Sequence, residues 1–237
     1  MTGRTFVVGD LHGCAEELKA LLDGLALTSA DTIIFLGDYV DRGPASLQVV
    51  ERLLQLRVEG PSCTFLKGNH EDMFLAFMGL KGRYGQAFLA NGGGPTLRSY
   101  ALEGCSGAEV ARRLPAEHLE FFRTLQSYTV RGNFLCVHAG INPLRRLEDQ
   151  DEEDLLWIRE EFIRNRHGLP YTVLFGHTPL RDVLVDLPYK VGLDTGLVYS
   201  NKLSCLELDS GELFQVRRGE KNLRRSALAL DAISPRP

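Results

Sequence analysis

The sequence predicts an α/β fold, a largely parallel β-sheet with helices against it, on three observations. The first seventy residues repeat one pattern: a short apolar run rich in β-branched residues, then glycine with a charged cluster, then a segment of helical periodicity. Each charged cluster falls where a strand ends, and ligands of such sheets gather at the carboxyl edge. The 237 residues, 44% of them hydrophobic, suffice to bury the core of one large domain.

The elements follow in order. Strand FVV (6–8) runs into GDLHG and then the helix CAEELKALLDGL, whose Leu18, Leu21, Leu22 and Leu25 share one face. TIIFL (32–36) runs into GDYVDRG, after which Pro44 suits a first helical turn and Leu47, Val50, Leu53 and Leu54 form the next stripe. CTFL (63–66) runs into KGNHED and the helical MFLAFM. Residues 79–126 turn Gly-rich and helix-like with no strand, a helical insertion expected to overhang the site and set selectivity through Tyr84, Asn91 to Gly94 and Tyr100. SYTV (127–130) and FLCVHAG (134–140) read as a hairpin, and LEDQDEEDLLWIREEFI as a helix with a solvated acidic face. YTVLFGHTP (171–179) is a strand ending on Gly and His, and VLVDL, YKVGLD, LSCLELD and ELFQVRR read as antiparallel strands. The expected division is one catalytic domain over 1–220 and a loose tail over 221–237.

Composition narrows the function classes. A net charge of -4 gives no global attraction to phosphate backbones or anionic lipid, so nucleic acid is disfavoured as a partner and a nucleic-acid phosphodiesterase lacks its basic groove. Five scattered cysteines, odd in number and without CxxC spacing, argue against a disulfide framework or thiolate zinc site and fit a reducing cytoplasm. None lies in a CxxxxxR loop, which removes support for a cysteine phosphatase. No apolar stretch approaches membrane-spanning length. Oligomeric state is not readable.

Five short clusters carry the chemistry: Asp10 and His12 in GDLHG, Asp38, Asp41 and Arg42 in GDYVDRG, Asn69 and His70 in GNHE, His138 in HAG, and His177 in GHT. Each alone reads as a turn or helix cap. Together they finish the predicted core strands with Asp, Asn and His, and half-buried carboxylates and imidazoles need partners. Oxygen and imidazole donors without sulfur suit Mn, Fe or Zn, and their number exceeds what one ion takes with an open position. Two ions sharing a carboxylate fit better, a recurring device for in-line attack at phosphorus.

In this order the five motifs resemble the calcineurin-like metallophosphoesterases, and specifically the phosphoprotein phosphatase (PPP) family in its compact bacterial and phage form. The resemblance spans residues 9 to 178 and implies a four-layer αββα sandwich with a helical insertion and a dimetal centre at its carboxyl edge. It implies that Asp10, His12 and a bridging Asp38 hold one divalent ion, manganese foremost with iron or zinc as alternatives, and that Asp38, Asn69, His138 and His177 hold the second. His70 would be the general acid, with Asp41 orienting it and favouring its protonated form. Arg42, joined by Asn69 and by Arg159 of LLWIRE, would bind the substrate phosphate. The implied mechanism is direct attack of a metal-bridging hydroxide on phosphorus, with no phosphoenzyme. Glu71 and Asp72 read as first-turn acids, Cys14 as helix packing, and His118 and His167 as surface residues.

Two substrate classes share this ligand set: phosphoserine or phosphothreonine in proteins, with small phosphoesters, and symmetrically cleaved dinucleoside tetraphosphates. The tetraphosphate hydrolases typically lack the second aspartate of GDxxDRG, so Asp41 ranks the protein phosphatase reading first. Only GLVYSN (196–201) stands where the eukaryotic phosphatases carry an aromatic loop motif, which leaves substrate recognition open. A non-catalytic phosphate-binding module built on the same fold predicts a lost ligand or a lost His70, and none is lost.

Overall fold

The computed structural model describes residues 3–228. Three β-α repeats open the chain: β1 (Thr5–Val8) and α1 (Ala15–Leu25), β2 (Thr32–Phe35) and α2 (Ser46–Glu59), β3 (Ser62–Phe65) and α3 (Asn69–Phe77). The insertion carries a π-type turn, Leu89–Gly93, running into α4 (Gly94–Ser99), then α5 (Gly107–Arg113) and α6 (Ala116–Arg123). The expected hairpin is β4 (Tyr128–Arg131) and β5 (Phe134–Val137). After α7 (Glu152–Trp157) and α8 (Glu160–Ile163) come β6 (Thr172–Phe175), β7 (Leu184–Asp186), β8 (Lys190–Gly192), β9 (Lys202–Glu207), β10 (Glu212–Arg217) and β11 (Leu223–Ala227).

These strands build two sheets, ordered β11-β10-β9-β1-β2-β3 and β4-β5-β6-β8-β7. β1, β2 and β3 are parallel in one, β5, β6 and β8 in the other, and the antiparallel strands lie at the flanks. Alternation along β1 explains the layering. Val7 packs between the sheets with Ile34, Leu36, Cys136, Leu174 and Val191. Phe6 and Val8 point the other way, onto a core shared with α1, α2 and α6. The second sheet turns Leu135, Val137, Val173 and Phe175 outward against Leu155, Ile158 and Phe162. Helix, sheet, sheet, helix is the αββα order.

Three expectations are corrected. The chain does not leave the fold at 221: Leu223 to Ala227 pair antiparallel with β10, and the exposed Arg224 and Arg225 mark β11 as a sheet edge. The rest of that expected tail, 229–237, lies outside the described residues. The acidic helix is broken, because Arg159 departs from helical geometry at φ -131°, ψ -100° between α7 and α8. His118 and His167 are buried, not superficial. His118 Nδ1 meets the Tyr100 hydroxyl at 2.9 Å beside Phe121 and Phe122, and His167 Nε2 donates to the Tyr189 carbonyl at 2.9 Å. The polar neighbours that suggested surface lie on the opposite helix face or in loops. All five cysteines are free, and among the described residues no helix is long and apolar enough to cross a membrane.

Lys190 is fully buried on β8, and its ammonium donates to the carbonyls of Phe162, Ile163 and Asn165. A cation so placed satisfies carbonyls at the end of α8 that have no intrahelical partner and complements the helix dipole. Lys190→Met keeps the volume and orphans those carbonyls. It is expected to lower stability by about 2–3 kcal/mol, read as a shift of the urea midpoint without a change in slope.

Candidate active site

The parallel strands of both sheets deliver the candidate residues to one edge. Asp10 and His12 follow β1, Asp38 follows β2, Asn69 and His70 open α3 after β3, His138 follows β5 and His177 follows β6. All seven are at most 4% exposed. The turns are tight enough that His12, Asp38, Asp41, Arg42 and His177 all have positive φ, between 44° and 72°. L-residues reach that region only under strong local constraint.

Two sets of donors converge. His12, Asp38 and His70 form one, Asp38, His138 and His177 the other, each with one donor atom per residue within 4.8 Å of the rest. Asp38 belongs to both. Its Oδ2 lies 3.4 Å from His12 Nε2 and its Oδ1 3.4 Å from His138 Nε2. The tautomers follow from the far side of each ring. His12 Nδ1 faces the Val40 carbonyl at 2.9 Å and His138 Nδ1 the Leu36 carbonyl at 2.8 Å, so both Nδ1 atoms donate. Burial pushes His12 down to about 3 and lowers His138 as well, which keeps both rings neutral. Each Nε2 then aims a lone pair at carboxylate oxygens. Asn69 Oδ1 adds another acceptor 3.0 Å from His138 Nε2 and 2.9 Å from His177 Nδ1, and His177 Nε2 is buried without a partner. Lone pairs facing lone pairs are stable around cations, so the residues present fit divalent metals.

Asp10 and Arg42 make contacts of a different kind. Asp10 stands outside both donor sets, its two oxygens accepting the His177 backbone N–H at 3.2 and 3.0 Å, although each retains a further lone pair. Arg42 directs Nη1 onto His12 Nε2 at 2.6 Å, with its guanidinium 5.6 Å from the ring centre of the exposed Tyr199 in GLVYSN. Asp41 Oδ2 accepts from His70 Nδ1 at 2.7 Å, and both side chains are buried. Burial works against protonation of His70, but the charge of Asp38 and the bond to Asp41 outweigh it and raise its pKa. Arg159 is exposed beside Thr178, and its charge helps to lower His138 and His177. Trp157 packs edge-on to the His177 ring at 6.0 Å and to the Tyr84 ring at 5.5 Å.

Two buried acids were not anticipated here. Glu71 is more than a first-turn acid: its carboxylate accepts the backbone N–H of Asp38, Gly68, Tyr39 and Val40 at 2.8–3.3 Å and so shapes the GDYVDRG loop. Gly68 must be glycine for this approach, since a Cβ would stand 2.2 Å from Asp38 Oδ1. Asp194 follows β8, is 6% exposed, and is pushed up to about 6 by burial. The signal for it was the strand-then-Asp pattern of YKVGLD, obscured because β8 read as part of an antiparallel run although it lies parallel to β6.

The sequence model of the calcineurin-like phosphoesterases matches residues 3–204. The chain belongs to that family. It is a metal-dependent phosphoesterase, and each of its two donor sets includes groups that could hold a metal ion. An asymmetrical bis(5'-nucleosyl)-tetraphosphatase of Oceanobacillus iheyensis is 26% identical over 89% of this chain and 90% of its own length. Serine/threonine-protein phosphatase 1 of Salmonella typhimurium is 32% identical over 86% of this phosphoesterase and 91% of that protein. The crystal structure of a protein provisionally named a diadenosine tetraphosphatase superposes with a TM-score of 0.69 at 25% identity, covering 92% of this chain and 95% of the other.

Proposed function

We propose that this phosphoesterase hydrolyses dinucleoside tetraphosphates, a reversal of the ranking that Asp41 suggested. The observation that carries it is a pair of exposed aromatics reaching opposite donor sets: Tyr199 through Arg42 to His12, and Tyr84 through Trp157 to His177. An elongated substrate with a base at each end and phosphates between suits an exposed aromatic near each donor set, bases stacking on tyrosine faces while Arg42 and Arg159 bind phosphate. The tetraphosphatases among the relatives, matched along most of their length, support the same substrate. Asp10, His12 and Asp38 would hold one divalent ion and Asp38, Asn69, His138 and His177 the other, and bound ions would supply an activated water and neutralise charge developing at phosphorus. Asp38 links the sets, His70 delivers a proton to the departing oxygen, and Asp41 holds the imidazole that does so.

A second reading, phosphomonoester hydrolysis on phosphoprotein, rests on that Asp41–His70 pair. An anhydride releases a weakly basic phosphate oxygen, whereas a serine ester releases an alkoxide that cannot leave unprotonated. The Salmonella relative points the same way. With manganese added, the kcat/KM for diadenosine tetraphosphate is expected to exceed that for a phosphoserine peptide by at least about tenfold, roughly the selectivity of one good contact. The reverse order establishes the second reading, and no turnover of either overturns both. Products distinguish the cut: ATP with AMP from asymmetrical attack, two ADP from symmetrical.

A further inference from the structure

The segment NGGGPT (91–96) of the insertion bonds to two residues of GDYVDRG, Asp41 and Arg42. The Gly92 carbonyl accepts the Arg42 N–H at 2.8 Å, and Gly92, at φ 98°, has no room for a Cβ, which would lie 2.8 Å from Arg42 Cγ. Thr96, fully buried near the start of α4, addresses Asp41 twice. Its Oγ1 donates to Asp41 Oδ1 at 2.7 Å and accepts the Asp41 N–H at 2.8 Å. Ser46 Oγ completes the cluster, 2.9 Å from Thr96 Oγ1 and 3.3 Å from the Asp41 nitrogen. A hydroxyl has one proton and two lone pairs. Here the proton goes to the carboxylate and the lone pairs receive the Asp41 N–H and the Ser46 hydroxyl, so nothing on Thr96 remains to turn.

The consequence lies at the other carboxylate oxygen. With Oδ1 held by Thr96, Oδ2 is the atom left for His70 Nδ1, at 2.7 Å. Asp41 has φ 72°, a conformation with little intrinsic preference, and both its backbone and its side chain are tied by the same threonine. We infer that Thr96 is a positioning residue, which sets the rotamer of Asp41 and through it the ring of His70, so that the insertion is part of the proton-delivery apparatus as well as a cover. The inference rests on the reading of His70 as proton donor.

The test varies how much proton delivery matters. An alkyl phosphate has a strongly basic leaving oxygen and needs a general acid; nitrophenyl phosphate releases a stable phenolate and hardly does. Thr96→Val, matched in shape and lacking the hydroxyl, is expected to lower kcat about 10- to 100-fold on the alkyl ester and no more than about threefold on the nitrophenyl ester, the selective loss that general-acid catalysis predicts. His70→Asn should show the same selectivity more strongly, and Thr96→Ser should restore both rates. A second reading comes without turnover. The buried Nδ1 proton shared with Asp41 is expected as a downfield NMR signal absent from His70→Asn, broadened in Thr96→Val and retained in Thr96→Ser. Equal losses on both esters, or an unchanged proton signal in Thr96→Val, overturn the role of Thr96. Absence of leaving-group selectivity in His70→Asn instead overturns the proton-donor reading on which it rests. Should Thr96→Val not fold, Thr96→Ala takes its place under the same criteria.

Discussion

On an alkyl phosphate, His70→Asn is expected to lower kcat by about 10²- to 10⁴-fold at saturating metal, with KM nearly unchanged. The side chain is 1% exposed and its Nδ1 is committed to Asp41, which leaves Nε2 as the nitrogen that can deliver a proton. Asparagine fits the same space, and the backbone N–H of residue 70, which donates to Asp38 Oδ1 at 3.1 Å, is untouched. Metal content should therefore match the parent while the proton step is lost. Steady-state kinetics with metal analysis on the same preparation checks this. A fall of threefold or less on an alkyl ester would remove His70 from the chemistry.

Glu71→Gln is the second large effect, and it acts on stability and activity together. Four backbone N–H groups, from Asp38, Gly68, Tyr39 and Val40, share the two carboxylate oxygens. Glutamine must turn an NH₂ toward two of them, so donors face donors in a fully buried place. The expected cost is about 2–4 kcal/mol, the penalty of buried donors left without acceptors. Because those donors belong to the loop that carries Asp38 and Asp41, metal affinity should fall as well. Denaturant unfolding of the metal-free protein isolates the first effect, and manganese titration measures the second. Parent-like values in both would mean that the loop holds its shape without the carboxylate.

The sequence disclosed most where chemistry and strand ends coincide. Asp10, Asp38, His138 and His177 could be placed at one edge because each closes an apolar run, and parallel strands bring such ends together. Asn69 and His70 were readable from the β-α pattern around CTFL. What stayed hidden depends on contacts far apart in the chain. Glu71 looks like any acid in a first helical turn until Asp38 to Val40 fold over it, and Thr96 is 55 positions from the carboxylate that it holds. The edge strand β11 was missed because Leu223 is its one strongly apolar residue among LRRSA, too little for an alternating pattern. The break at Arg159 was missed because LEDQDEEDLLWIREEFI carries no glycine or proline to mark it.

The bond from the Gly92 carbonyl to Arg42 also bears on how this enzyme can be re-engineered. Residues 79–126 look like a detachable lid, the natural piece to exchange in a chimera seeking new selectivity. They are wired instead into the loop after β2, and a transplanted lid would have to present a carbonyl to residue 42 and a hydroxyl to residue 41 at the same spots. Chimeras joined at 79 and 126 without those two anchors trade away turnover while searching for specificity. Grafts that leave 91–96 in place, and vary only what lies on either side, keep the two properties separable.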